Sequence, residues 1–206
     1  MDSRDSKILY AASYQRRRHV WTLINGGPEA KIYKTTDGGA NWEVLTNGLP
    51  TGDLGRIGLA ISPQNPDVIY AIIEASPEKG GFYKSTDRGA SWSKQNSYFS
   101  GSAQYYHEIF CDPIQFDYIY AMDTYSKYSS DGGKTWNNIS LKERHVDDHA
   151  LWINPFNNKH ILIGGDGGLY ESFDRGQTWR FFENLPVTQF YRIQADNSEP
   201  FYYVYG

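Results

Sequence analysis

Thr35-Thr-Asp37-Gly-Gly39-Ala-Asn41-Trp42 decides the fold, because it returns as Ser85-Thr-Asp87-Arg-Gly89-Ala-Ser91-Trp92, Ser129-Ser-Asp131-Gly-Gly133-Lys-Thr135-Trp136 and Ser172-Phe-Asp174-Arg-Gly176-Gln-Thr178-Trp179. In every copy a hydroxyl residue is followed two positions on by Asp, two further by Gly and three further by Trp. The aspartates are spaced 50, 44 and 43 residues apart, the period of a chain that makes one small antiparallel sheet per repeat and stacks the sheets side by side. The chemistry of the motif suits a tight turn between two strands. The hydroxyl and the carboxylate accept hydrogen bonds from turn amides that otherwise lack partners. The Gly takes a positive φ that a side chain resists, and the Trp is expected to lie over the turn with its ring against the sheet. A motif repeated in every unit builds the unit. Asp37, Asp87, Asp131 and Asp174 are therefore assigned to scaffold, with Gly39, Gly89, Gly133, Gly176, Trp42, Trp92, Trp136 and Trp179, and not to catalysis or metal binding.

Outward from these turns the repeats align on their prolines. First strands are expected over Gly55–Pro63, Tyr105–Pro113 and Asp147–Pro155, and second strands over Val68–Ile73, Tyr118–Met122 and His160–Ile163. Third strands over Ala30–Lys34, Gly81–Lys84 and Gly168–Glu171 enter the turns, and fourth strands leave through the Trp. The segments are β-branched, aromatic and mostly apolar, as buried strands are. The expected fold is all-β, a propeller of four-stranded antiparallel blades, with 1–206 forming about four blades of a larger, seven-bladed type of ring. Lys7–Ala12 matches a second strand, Phe190–Ala195 a first and Phe201–Tyr205 the opening of a second, so the segment starts and ends inside a blade. Pairing the Phe190 strand with the first blade to close a four-bladed ring is the alternative arrangement.

With 39% hydrophobic and 16% aromatic residues, the chain can bury a sizeable core, and 20 Gly with 9 Pro suit many short strands joined by turns. A net charge of −4 gives no general attraction to nucleic acid or to acidic membranes, and no apolar run reaches membrane-spanning length. Cys111 is alone, which rules out an internal disulfide and favours an inert thiol in an apolar strand. The first residues, Met-Asp-Ser-Arg-Asp-Ser, lack the apolar stretch of a signal peptide.

The string Ile8-Leu-Tyr-Ala-Ala-Ser-Tyr-Gln-Arg-Arg-Arg-His19, the segment Gly52–Ile61 and the run His145-Val-Asp-Asp-His-Ala-Leu-Trp152 join the four turns, known as Asp boxes or BNR repeats, in a wider likeness. The whole chain resembles bacterial Asp-box proteins related to the sortilin (VPS10) propeller, a glycosyl hydrolase-like group that is also similar to xyloglucanase-type hydrolases. This resemblance implies a longer parent chain whose remaining blades are partners of these, and a periplasmic or extracellular setting. The cysteine-rich module and membrane span of sortilin receptors have no counterpart here. Xyloglucanase-type enzymes place two catalytic acids in a cleft between two propellers, one from each; the Arg-Thr-Asp-x-Gly-Gly-Ala-Tyr signature associated with one of them is absent here, and Gly165-Asp166-Gly-Gly168 resembles that of the other but is one residue short.

In an antiparallel blade, first-strand starts and second-strand ends share the end opposite the Asp boxes. That open face gathers Arg56, Tyr106, His107, Asp147, Asp148 and His149, with Glu74, Asp123 and Asp166 beyond second strands. Period-two alternation over His145-Val-Asp147-Asp-His149 would put His145, Asp147 and His149 on one side, a spacing that offers a divalent metal two imidazoles and a carboxylate. With Zn²⁺ or Mn²⁺ there, Glu108 is a candidate base. The competing reading is a hydrogen-bonded network that orders the loop. Arg16, Arg17, Arg18 and Trp21 lie in the longest loop, Tyr14–Glu29, and suit an anionic or sugar ligand, because guanidinium groups fork onto carboxylates and an indole stacks on sugar faces. A solvated basic loop, or one packed on a neighbouring domain, is the alternative.

Two functions follow. One is a propeller segment binding a carbohydrate, peptide or protein ligand through Arg16–Arg18, Trp21, Arg56, Tyr106, His107, Asp148 and His149. The other is a glycoside hydrolase acting on β-glucan or xyloglucan, with an acid/base pair drawn from Asp166, Asp147 and Glu108.

Overall fold

The structure is a computed structural model and describes residues 1–185, 192–196, 198–199 and 203–205. All its regular elements are strands. The first blade is β1 (Leu9–Ala12), β4 (Ile32–Thr35) and β5 (Glu43–Leu45), in the order β1-β4-β5; between β1 and β4 a separate hairpin, β2 (Arg16–His19) with β3 (Thr22–Asn25), projects. Blade two is β6 (Ile57–Ile61), β7 (Ile69–Ile73), β8 (Gly81–Ser85) and β9 (Ser93–Asn96). Blade three is β10 (Ile109–Cys111), β11 (Ile119–Ala121), β12 (Lys127–Ser129) and β13 (Asn137–Asn138). Blade four is β14 (Asp148–Ile153), β15 (Ile161–Gly165), β16 (Gly168–Ser172) and β17 (Arg180–Phe181). Each of these three is a four-stranded antiparallel sheet in sequence order. A last ladder pairs β18 (Gln194–Ala195) with β19 (Val204–Tyr205). Of the strand expected over Phe190–Ala195, residues 190 and 191 lie outside the described residues and β18 forms its end; of the one expected over Phe201–Tyr205, residues 201 and 202 lie outside them and β19 forms its end. Among the described residues β18 pairs with β19, and the partner of β1 is β4.

The blades cohere because their middle strands are apolar on both sides. Along β7, Ile69, Ala71 and Ile73 pack with Ala30, Ile32 and Trp92 between blades one and two. The alternate residues Tyr70 and Ile72, with Val68 just ahead of the strand, pack with Ile109, Ile119 and Ala121 between blades two and three. The pattern repeats one blade on, where Tyr118, Tyr120 and Met122 meet Ile161, Ile163 and Trp179. Period two thus divides one apolar run between two interfaces, so β7 and β11 are buried without interruption.

The Asp boxes have the expected chemistry. In the third, Ser129 Oγ donates to Asp131 Oδ1 at 2.8 Å and accepts from Gly133 N at 2.8 Å; Thr135 donates through N to Oδ1 at 2.9 Å and through Oγ1 to Oδ2 at 2.7 Å. The other three boxes repeat this set with Thr35–Asp37–Asn41, Ser85–Asp87–Ser91 and Ser172–Asp174–Thr178. Partial desolvation raises the carboxyl pKa of Asp131 and Asp174, but hydrogen bonds from Thr135 and Thr178 outweigh it and hold both at about 2. The box tryptophans lie over their turns as expected, Nε1 of Trp42, Trp92 and Trp136 donating to the carbonyls of Gly39, Gly89 and Gly133 at 3.1 Å. Trp92, Trp136 and Trp179 enter the interface with the preceding blade, whereas Trp42, with no earlier blade beside it among the described residues, is 42% exposed.

Candidate functional site

At the end opposite the boxes, most polar groups are already committed to one another. Arg56 pairs with Glu108 across two blades, donates from Nη1 to the Gln104 carbonyl at 3.1 Å, and its backbone N–H donates to Glu74 Oε2 at 2.9 Å. Glu74 also accepts from Asn25 Nδ2 at 2.8 Å, which ties the base of the β2–β3 hairpin to blade two. Asp123 accepts from Tyr98 Oη at 2.9 Å, from Ser100 Oγ at 2.8 Å and from Thr124 N at 2.8 Å.

His107 was expected on a strand facing ligand. The first strand of blade three begins only at Ile109, and His107 sits in the preceding loop with φ 88° and 1% exposure. Its Nδ1 lies 3.0 Å from the Arg56 carbonyl and its Nε2 accepts from Ser100 N at 3.2 Å, so the neutral tautomer carries its proton on Nδ1. Burial pushes its pKa down to about 4. His107 is a staple for the 97–107 loop, not a ligand contact.

The alternation that would align His145, Asp147 and His149 does not form. β14 begins at Asp148, Asp147 turns the chain with φ 66°, and a bulge separates Asp148 from Ala150. His145 Nδ1 turns back to the Val146 carbonyl at 2.6 Å, Asp147 Oδ1 accepts from Tyr106 Oη, and His149 Nε2 lies 3.3 Å from Asp166 Oδ1. Among the described residues no three His, Cys, Asp or Glu side chains converge as a metal-ligand set. The network reading describes this loop. Asp148 is 2% exposed and paired with fully buried Arg144, whose guanidinium lies 4.9 Å from the Trp179 ring centre. Burial raises the Asp148 pKa despite Arg144, and Asp148 faces the core rather than a ligand.

What stays open to solvent is small. The imidazole of His149 lies flat on the Tyr106 ring, centroids 5.2 Å apart and planes 6° apart, with Tyr106 itself buried. Thr124 Oγ1 donates to Tyr106 Oη at 3.1 Å, and burial first, then the bond to Asp147, raises the phenol pKa to about 12. Asp166 sits in the β15–β16 turn, anchored through its N–H to the Asp147 carbonyl at 3.0 Å, and its side chain is 64% exposed. The group joins a tyrosine, an imidazole and two carboxylates from blades three and four. It can hydrogen-bond hydroxyls and present one open carboxylate.

The second open region surrounds the hairpin that replaces the expected loop. Arg16–His19 form β2, all exposed, and Val20-Trp21 form the tip, with Trp21 81% exposed and stacked on His19 at 5.2 Å. Arg18 Nη1 donates to Tyr105 Oη at 2.8 Å. Arg18, His19, Val20, Trp21, Thr22, Leu23 and Gln104 line an open cleft of about 760 Å³. Sequence reasoning missed Gln104, Tyr105 and Arg144. Tyr105 and Gln104 precede the strand, where no pattern marks a contact with a distant hairpin, and Arg144 bore no signal except its i,i+4 spacing from Asp148. Cys111 matches its reading, with burial pushing the thiol pKa up to about 12.

The BNR/Asp-box repeat family matches residues 127–138. The chain is 24% identical over 149 residues to an oligoxyloglucan-reducing end-specific xyloglucanase of Emericella nidulans, which covers 65% of this chain and 18% of that protein. It is also 24% identical over 179 residues to a xyloglucanase of Acetivibrio thermocellus, covering 73% of this chain and 21% of that one. The chain therefore spans about a fifth of the length of these relatives. Among solved structures, a GH74 enzyme of Niastella koreensis superposes with a TM-score of 0.59 at 16% identity, over 87% of this chain and 28% of the other. Sequence motif, blade topology and superposition agree on a partial β-propeller built on Asp-box repeats and similar to the GH74 xyloglucanases.

Proposed function

We propose that this chain forms part of the polysaccharide-binding face of a glycosyl hydrolase-like propeller. The observation that carries the reading is the solvent-open group of His149 and Asp166 on the Tyr106–Asp147 base, at the end of the blades left free by the box turns. Its mixture of hydroxyl, imidazole and carboxylate groups suits sugar hydroxyls, and the similarity to xyloglucanases favours a glycan over a peptide. The setting that goes with such a ligand is periplasmic or extracellular.

Binding is favoured over hydrolysis by the carboxylates themselves. Glu108 is neutralised by Arg56 and Asp147 is engaged by Tyr106, which leaves Asp166 as the open acid of the three candidates. An inverting glycosidase needs two carboxyl groups about 6.5–9.5 Å apart across the scissile bond. If the parent protein is hydrolytic, Asp166 serves as one member and its counterpart comes from another part of that protein. The test is affinity electrophoresis and reducing-end release by the full-length protein on xyloglucan and β-glucans, with Asp166→Asn and His149→Ala. Retarded migration that both variants weaken supports the reading. Wild-type protein that neither binds nor cleaves any of these glycans, or variants that bind like wild type, overturns it.

A further inference from the structure

The geometry points to the β2–β3 hairpin cleft as a subsite for an acidic, uronate-bearing sugar, an inference that rests on the glycan-binding reading and names its charge class. Three arginines follow one another in β2, and among the described residues none of Arg16, Arg17 and Arg18 forms an ion pair with a carboxylate. In a chain of net charge −4, an un-neutralised cationic run beside an open cleft is complementary to an anion.

The cleft also has the parts a sugar ring needs. The indole of Trp21 and the imidazole of His19 are stacked with planes 7° apart, and Trp21 is 81% exposed, so a flat apolar platform is offered to the C–H face of a pyranose. Arg18 reaches the cleft from the β2 face that it shares with Arg16, opposite Leu23 in the register, and is braced by one hydrogen bond to Tyr105. Its guanidinium has five N–H donors, so those that Tyr105 does not use can fork onto a carboxylate. Gln104 lines the same cleft beside Arg18. An aromatic platform and a braced fork together select a ring that bears a carboxylate. A neutral glycan leaves the cations unpaired, and an acidic peptide leaves the platform unused.

The measurement is titration calorimetry of the full-length protein with trigalacturonate, with cellotriose as the neutral probe of equal length and a tri-glutamate peptide as the acidic non-sugar. The expected result is at least tenfold tighter binding of trigalacturonate than of either control, weakened several-fold when salt rises from about 0.05 to 0.5 M. Arg18→Ala and Trp21→Ala each lose about tenfold or more, and Arg18→Lys, which keeps charge without the fork, falls between. Equal affinity for cellotriose, or for tri-glutamate, overturns the inference, as do absent binding and an unaffected Arg18→Ala. Cellotriose bound as tightly as trigalacturonate would leave the glycan-binding reading standing; a protein that binds no sugar in either experiment fails both.

Discussion

Replacing the glycine two residues after the aspartate of each Asp box by alanine separates the strain of the turn from the packing of one blade on the next. Gly39 and Gly133 occupy the same turn position with φ 100° and 91°, so the conformational cost of adding a Cβ, about 1–2 kcal/mol, is common to both. Their surroundings differ. A Cβ on Gly39 would meet nothing closer than Trp42 at 3.7 Å, an ordinary contact, whereas on Gly133 it would lie 2.1 Å from Cδ1 of the fully buried Phe82 in blade two. Phe82 is held by Trp136 edge-on at 4.9 Å and by Tyr70 at 5.9 Å, so it cannot retreat freely. Gly133→Ala is expected to cost about 1–3 kcal/mol more than Gly39→Ala, the usual penalty of overpacking. Gly89 and Gly176, whose added Cβ would approach neighbours at 2.9 Å, should fall between. Urea denaturation of the four variants gives the ranking directly. Equal losses for Gly39→Ala and Gly133→Ala would refute the argument that the box glycine is required by the neighbouring blade as well as by its turn. The residue before it carries no such demand, since Arg88 and Arg175 occupy that position with φ 60° and 63°.

Two further predictions concern the buried ionisable groups. The folded-state pKa of His107, about 4, lies below its ordinary 6.5, so the unfolded chain binds the extra proton; stability is full above about pH 6.5 and falls as pH drops towards 4, by on the order of 3 kcal/mol. His107→Gln should flatten the dependence of the unfolding free energy on pH in that window, and an unchanged slope would contradict the buried neutral histidine. Arg144→Met leaves Asp148 buried without its cation and should cost about 3–5 kcal/mol, part of which the double variant Arg144→Met/Asp148→Leu recovers; a loss under about 1 kcal/mol in the single variant would show the pair to be hydrated.

Much of the fold was legible because local chemistry specifies it. Thr35, Asp37, Gly39 and their equivalents satisfy one another within a turn of a few residues, so the motif means the same structure wherever it occurs. The open-face residues had no such local closure. Tyr106, His107 and Asp147 looked like strand residues facing ligand, yet the strands begin later, and each side chain finds a partner 18 to 51 residues away or across a blade. The run Tyr14–Glu29 read as a loop because β2 is three arginines and a histidine, residues that carry no apolar alternation to betray a strand pair.

The sequence by itself determined the repeat, the antiparallel blade and the structural role of the box carboxylates, since these depend on contacts between residues at most four positions apart and on period-two burial. Only the tertiary structure decided which polar groups of the open face are spent and which are free. Arg56 neutralises Glu108, Tyr106 occupies Asp147, Arg144 buries Asp148, and His149, Asp166 and the hairpin cleft remain exposed. That division follows from how adjacent blades bring distant loops together, and a charged side chain is available for a ligand only where no neighbouring blade supplies its counter-ion or hydrogen-bond partner first.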